Sequence, residues 1–218
     1  EKSPLILKGI TEGELYGKTL LRHHTSELEI WECTSCNACV EECPVMIEHV
    51  PSILEMRRHL VMTESEFPPE LATTFRNMEV NGSPWAYDPT ERGKWAEDLD
   101  VKTMSEDADA EYLFWVGCAG SYDPRSIQVS RAIVQLMQKA GVNFRILGAE
   151  EKCNGDTARR LGNEYLAQEL MKSNIEVLQN YAVKKIFTAC PHCFNSLKNE
   201  FPQFGGNFEV FHHSELLT

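Results

Sequence analysis

Past residue 110 the sequence alternates short apolar runs with amphipathic stretches, and that alternation leaves few folds open. The runs "EYLFWVG" (111–117), "VNFRILG" (142–148), "VKKIFTA" (183–189) and "NFEVFHH" (207–213) have the length and composition of strands. Between them, "PRSIQVSRAIVQLMQKAG" predicts an amphipathic helix ending at Gly141. "DTARRLGNEYLAQELMKSNIEVLQNY" predicts one long helix and "PHCFNSLKNEF" a short one. Strands separated by helices cannot pair as hairpins, so a parallel sheet covered by helices is the economical solution. The fold class is α/β.

The first part of the chain reads differently. Ile47, Val50, Ile53, Leu54 and Met56 approximate a helical face with Pro51 interrupting it, and "PPELATTFRNMEV" (68–80) predicts a helix with proline at its start. Residues 81–110 are turn-rich and acidic and predict a linker wrapping over the surface. The expected organisation is a helical ferredoxin-like segment at 1–80, a linker at 81–110 and an α/β domain at 111–218.

Eight cysteines fall into two sets of four, at 33/36/39/43 and 118/153/190/193, a grouping that favours metal over disulfides. Cys33, Cys36, Cys39 and Cys43 have the spacing C-x2-C-x2-C-x3-C followed by Pro44. That run holds the irons of a [4Fe-4S] cluster in bacterial ferredoxins, whereas structural zinc sites use separated pairs. Thr34, Ser35 and Ala38 are small enough to let backbone amides approach sulfur. In two-cluster ferredoxins the fourth cysteine of such a run serves the other cluster, which leaves Cys43 either in that role or as a fourth local ligand. With one run, and a chain opening on Glu1, the sequence reads as a piece of a longer polypeptide or as one needing a partner's second run.

Cys118, Cys153 and Cys190 each follow a predicted strand, and Cys193 closes a C-P-H-C turn. Open α/β sheets place their sites at the carboxyl ends of strands, so four sulfurs are expected at one edge. Such a set suits an iron–sulfur cluster, zinc, or a redox dithiol made by Cys190 and Cys193. His192 lies between two of these cysteines, where a supporting hydrogen bond is the simpler role. His212 and His213 close the last strand, Arg159 and Arg160 start the helix behind Cys153, and Trp31 and Trp115 are expected to shield the sites by packing.

A formal net charge of -12 argues against nucleic acid as a partner and suits a protein partner instead. The sequence contains neither a run of eighteen apolar residues nor an N-terminal apolar core of the kind a signal peptide needs. It also lacks a glycine-rich phosphate loop and a nucleophile–base pair, so no catalytic residue is assigned.

The stretches "WVGCAG", "EKCNGDTARRLGNEY" and "TACPHCFNSLKNEFPQFGGNFEVFHHSELL" resemble the cysteine-rich domain of the heterodisulfide-reductase-related iron–sulfur oxidoreductases. With the ferredoxin run the resemblance covers about residues 27–218. It is nearest the membrane-linked subfamily that passes electrons between electron-transferring flavoprotein and the quinone pool. It implies a redox partner such as that flavoprotein, a membrane subunit or a membrane domain outside this sequence, and a place at the cytoplasmic side of a membrane. Asn154 stands where the family has a second adjacent cysteine, so four ligands remain in place of five. The leading expectation is an electron-transfer module. The alternatives are a heterodisulfide-type reductase at the second site and a docking domain stabilised there by zinc.

Overall fold

The computed structural model describes residues 17–217, so positions 1–16 of the expected helical segment lie outside it, as does Thr218. The chain divides into two compact units, one ending at Glu66 and the other beginning at Phe67.

In the first unit, helix α1 (Glu27–Glu32) begins at a reciprocal cap. Ser26 Oγ accepts from the Glu29 amide, and the Glu29 carboxylate accepts from the Ser26 amide at 2.7 Å. A short helix α2 (Ala38–Glu41) lies inside the cysteine run, and α3 (Val50–His59) follows it, continuing through a wide π-type turn to Glu64. Pro51 starts α3 where it was expected to interrupt a helix, because a first-turn position has no intrahelical amide bond to lose. Leu21, Ile30 and Leu60 form the small core, with Trp31, Ile53 and Met56 packed on it.

The second unit opens with α4 (Pro69–Asn81) and is built on a four-stranded parallel sheet. Its strands are β1 (Tyr112–Trp115), β2 (Phe144–Arg145), β3 (Lys185–Thr188) and β4 (Glu209–His212), in the order β2-β1-β3-β4. All four lie inside the apolar runs, and the fold is α/β as expected. Phe114, Phe187 and Phe211 share one register across β1, β3 and β4. The rings of Phe114 and Phe187 stack at 4.8 Å and are fully buried, and Trp95 meets Phe114 edge-on. Helix α6 (Pro124–Lys139) covers this face with Ile133, Val134 and Met137. On the alternate positions of β1, Leu113 and Trp115 face the other way, and Trp115 packs edge-on against Phe201. Each fully buried aromatic side chain of this core contributes roughly 1.5–3 kcal/mol by leaving water.

Two departures from the sequence reading matter for the site. Residues 81–110 are woven into the sheet unit: a 3-10 helix, Pro89–Ala96, delivers Arg92, Trp95 and Ala96 to the interior. Further on, Met104 and Lys102 exchange backbone hydrogen bonds with Ile146. Trp95 and Ala96, with Leu99 and Val101 packed beside them, fix that segment on the core despite the acidic turn residues around them. The long helix expected after Cys153 is broken into α7 (Asp156–Arg160) and α8 (Glu164–Asn180). Gly162, at φ +89°, ends the first, and Asn163 caps the second by accepting from the Leu166 amide at 3.1 Å.

Candidate metal centres

The cysteine run of the first unit is a loop with left-handed corners. Ser35 and Asn37 have φ of +57° and +61°, and Met46 beyond Pro44 has +55°. Non-glycine residues in this region cost of order 1–2 kcal/mol each, so their clustering marks a loop shaped for something other than its own stability. The turns aim amides at sulfur: Ser35 N–H donates to Cys33 Sγ and Ile47 N–H to Cys43 Sγ, both at 3.4 Å. The Ala38 amide and Thr34 hydroxyl lower the Cys36 thiol below its ordinary value, and the amides of Ile47 and Val45 do the same for Cys43. His49 places Nε2 at 2.7 Å from Cys39 Sγ. Cys36 and Cys39 are exposed, Cys33 and Cys43 half-buried. Arg57, buried in α3, donates to the carbonyls of Ile30, Trp31 and Cys33, which fixes the chain where α1 gives way to the run. Thiolates surrounded by donated amides are the donor set that an iron–sulfur cluster uses.

In the second unit the four cysteines come from separate elements and line one cavity of about 360 Å³. Cys118 sits in helix α5 (Gly117–Tyr122) directly after β1. Cys153 lies on the loop after β2, Cys190 follows β3, and Cys193 is in α9 (Pro191–Asn195). The strand order reverses between β1 and β3, so Cys118 and Cys190 stand at the switch point where open α/β sheets form a crevice. Trp85, Asn154, Thr157 and His192 share the lining. Gly117 is at φ +77°, and a β-carbon there would meet Cys193 Sγ at 3.0 Å, so glycine keeps the floor open. Among the described residues, no three His, Cys, Asp or Glu side chains converge as ligands of a single ion.

The four thiols act as two pairs. Cys118 is lowered to about 6 by a hydrogen bond from Cys153 and by the Arg92 guanidinium, against burial. Cys153 is raised by that same bond and by its burial. Cys190 is lowered to about 5 by Cys193, by the amides of Cys193 and His192, and by the His192 ring, whose Nδ1 lies 3.9 Å from its sulfur. Cys193 is raised in turn. Two thiolates at neutral pH, each with a thiol partner, form a site already half-deprotonated for metal.

Sequence reasoning missed the groups that hold this site. Arg92, 2% exposed, donates from one nitrogen to Cys118 Sγ at 3.4 Å and to Glu151 Oε1 at 2.8 Å. Glu151, equally buried, accepts from the amides of Val116 and Gly117 at 3.0 and 2.8 Å. Asn174 of α8, fully buried, donates to the Cys153 carbonyl at 2.9 Å and accepts from the Lys152 amide at 3.2 Å. Asn154 turns its oxygen to the Asp156 amide at 2.9 Å and so closes the turn into α7. An asparagine on the apolar stripe of an amphipathic helix was the one available signal for Asn174; the Arg92–Glu151 pair is non-local and leaves none.

The remaining candidates have structural partners. Arg159 pairs with Glu164 and Glu200, and Arg160 with Asp156 and Glu200, a salt-bridged face. His212 lies 2.7 Å from Ser214 Oγ and 3.2 Å from the Ala189 carbonyl. Trp31 packs in the small core beneath the Arg57 guanidinium, and Trp115 is in the main core.

Residues 112–198 match the cysteine-rich domain family CCG. The chain is 50% identical over 87% of its length to the EtfAB:quinone oxidoreductase of Syntrophomonas wolfei, covering 27% of that protein. It is 44% identical over 93% of its length to the probable iron-sulfur-binding oxidoreductase FadF of Bacillus subtilis, covering 30%. To one polypeptide of the dihydromethanophenazine:CoB--CoM heterodisulfide reductase of Methanosarcina barkeri it is 31% identical over 88%, covering 48%. The chain thus spans between about a quarter and a half of these relatives. No solved structure matches it. Residues 112–198 belong to the CCG cysteine-rich domain family, and the chain is a homologue of the heterodisulfide-reductase-related iron–sulfur oxidoreductases.

Proposed function

We propose that this chain is an electron-transfer module in which Cys33, Cys36, Cys39 and Cys43 hold a [4Fe-4S] cluster and Cys118, Cys153, Cys190 and Cys193 hold a second iron–sulfur cluster. The observation that carries the reading is the second cavity: four cysteines from three strand ends line it, with a buried guanidinium against one sulfur. The clusters would supply one-electron redox chemistry. The chain's own residues bind and tune them: the amides of Ser35 and Ile47 and the side chains of Thr34 and His49 at the first, Arg92 and the Gly117 floor at the second. In keeping with the name of the Syntrophomonas relative, the donor is an electron-transferring flavoprotein and the acceptor a quinone, each electron passing singly through the module. Among the described residues no helix is long and apolar enough to cross a membrane, so contact with quinone would need a membrane subunit or domain beyond this sequence.

The test is anaerobic iron, zinc and acid-labile sulfide per chain, on the wild type and on a Cys118→Ser/Cys153→Ser variant. Loss of iron and sulfide in the variant supports the reading; loss of zinc alone overturns it in favour of a structural site. A disulfide-reductase reading rests on the Cys190–Cys193 pair at the cavity, where a half-buried sulfur stands beside a buried one. Release of thiol from an added disulfide, with reduced methyl viologen as electron source, would favour it.

A further inference from the structure

Arg92 and Glu151 are 59 positions apart in sequence, yet they meet under Cys118 with side chains 2% exposed. Burying two charges is costly, and a pair of this kind stabilises a domain no better than well-packed apolar side chains. Its geometry is directional. The Arg92 nitrogen that pairs with Glu151 also points at Cys118 Sγ, while the second terminal nitrogen is held by the Gly82 carbonyl at 3.3 Å. Gly82 in turn accepts from the Cys153 amide at 2.7 Å, so the guanidinium is tied to α5 at Cys118 and, through Gly82, to the loop that carries Cys153. Tyr122 lies over it with 5.7 Å from ring centre to guanidinium carbon and excludes water from that side. Glu151 is turned the other way, with both oxygens taken by the Val116 and Gly117 amides. The positive end of the pair therefore faces the sulfur and the negative end faces the backbone.

We propose that Arg92 and Glu151 form a fixed charge pair that sets the reduction potential of the group held by Cys118, Cys153, Cys190 and Cys193. This rests on that group being a redox iron–sulfur cluster, as proposed above. When one electron enters from an external reductant, the site becomes more negative by one charge and no proton is required. A guanidinium against a ligand sulfur, in surroundings of low dielectric, stabilises that added charge, and the carboxylate behind it opposes the effect. The two residues thus push the potential in opposite directions, a signature that damage to the fold does not produce.

The experiment is a dithionite titration of the cluster-loaded full chain, followed by electron paramagnetic resonance, with iron and sulfide measured on every sample. The second-site signal is the one absent from Cys118→Ser/Cys153→Ser. Arg92→Gln is expected to shift the reduced-to-oxidised ratio at fixed potential at least tenfold toward oxidised, about 59 mV more negative for a one-electron couple. Glu151→Gln is expected to shift it toward reduced, Arg92→Lys to stay within about threefold of wild type, and Arg92→Gln/Glu151→Gln to lie between the single variants. Iron-replete variants that all keep the wild-type potential, or that all move in one direction, overturn the proposal. If Arg92→Gln does not fold, the sign of the shift in Glu151→Gln decides by itself. A wild type without iron at the second site removes the cluster reading and the charge-pair proposal together, and the iron measurement distinguishes that result from an unmoved potential.

Discussion

Arg57 spans from the last turn of α3 to the carbonyl of Cys33, the residue at which the first cysteine run begins. The same guanidinium holds the carbonyls of Ile30 and Trp31 at the open end of α1, where no intrahelical donor is available. Arg57→Ala strands these acceptors and is expected to cost about 1–3 kcal/mol for each that stays buried. Iron bound through the first run should fall while that bound by Cys118 and Cys153 remains. Arg57→Lys offers a point charge in place of a fork and should recover only part of the loss. Iron content and thermal denaturation, compared across the two variants, check this.

The stacked Phe114–Phe187 pair carries the sheet unit's core. Phe187→Ala empties a fully buried site that cannot collapse onto neighbouring strands, and about 3–5 kcal/mol of stability should be lost. Phe211→Ala, on the half-buried position beside it in register, should cost less than half as much. Urea denaturation monitored by circular dichroism separates the two.

Asn174 ties the Cys153 loop to α8, accepting from the Lys152 amide and donating to the Cys153 carbonyl. Asn174→Ala leaves that carbonyl and that amide unpaired in the interior and should cost about 1–3 kcal/mol. Asn174→Asp keeps the acceptor and loses the donor, so it should fail in the same direction. Hydrogen exchange at the Lys152 amide should quicken in Asn174→Ala and less in Asn174→Asp, ahead of any change at β1 or β3.

What the sequence disclosed follows from how local each signal is. Strands β1, β3 and β4 are short apolar runs bounded by helix signals, and Cys118 and Cys190 stand within a few residues of the ends of β1 and β3, so position along the chain was enough to place them at one sheet edge. Strand order was not legible, since nothing within a strand says which neighbour it takes. Trp95 was hidden because the acidic turn residues around it outweigh one aromatic in any window. The break at Gly162-Asn163 was legible as a stop followed by a cap, and the apolar periodicity running through it obscured the signal. His49 lies ten positions past Cys39 and meets it only after the chain turns at Met46.

Without metal, the second site should titrate as two proton-sharing pairs. Cys118 and Cys190, lowered to about 6 and 5, favour the folded chain as thiolates. Their contribution is complete above the ordinary thiol value, declines as pH falls through 6 and 5, and is absent below. Cys153 and Cys193 are raised, so their contribution is complete below the ordinary value and declines as pH climbs through their folded values. The thiol contribution to the stability of the metal-free chain should therefore rise with pH from about 5 and peak near the ordinary thiol value of about 8.5. Ultraviolet thiolate absorbance should show two groups ionising near pH 5–6, one of them lost in Cys190→Ser. A single step at the ordinary thiol value would contradict the pairing.

Gly117 offers the sharpest test of the cavity floor. It stands between β1 and Cys118 in a left-handed conformation, and a β-carbon would press on Cys193 Sγ. Gly117→Ala should cost about 1–2 kcal/mol for the backbone alone. The contact adds a second effect, because Cys193 is buried and the added methyl group must displace it or narrow the cavity. Gly141 is an internal control: its φ is +71°, and nothing lies within 4 Å of an added β-carbon. Both variants should lose similar backbone stability. Only Gly117→Ala should lose iron and sulfide at the second site, and equal retention in the two would show that the floor does not need to be open.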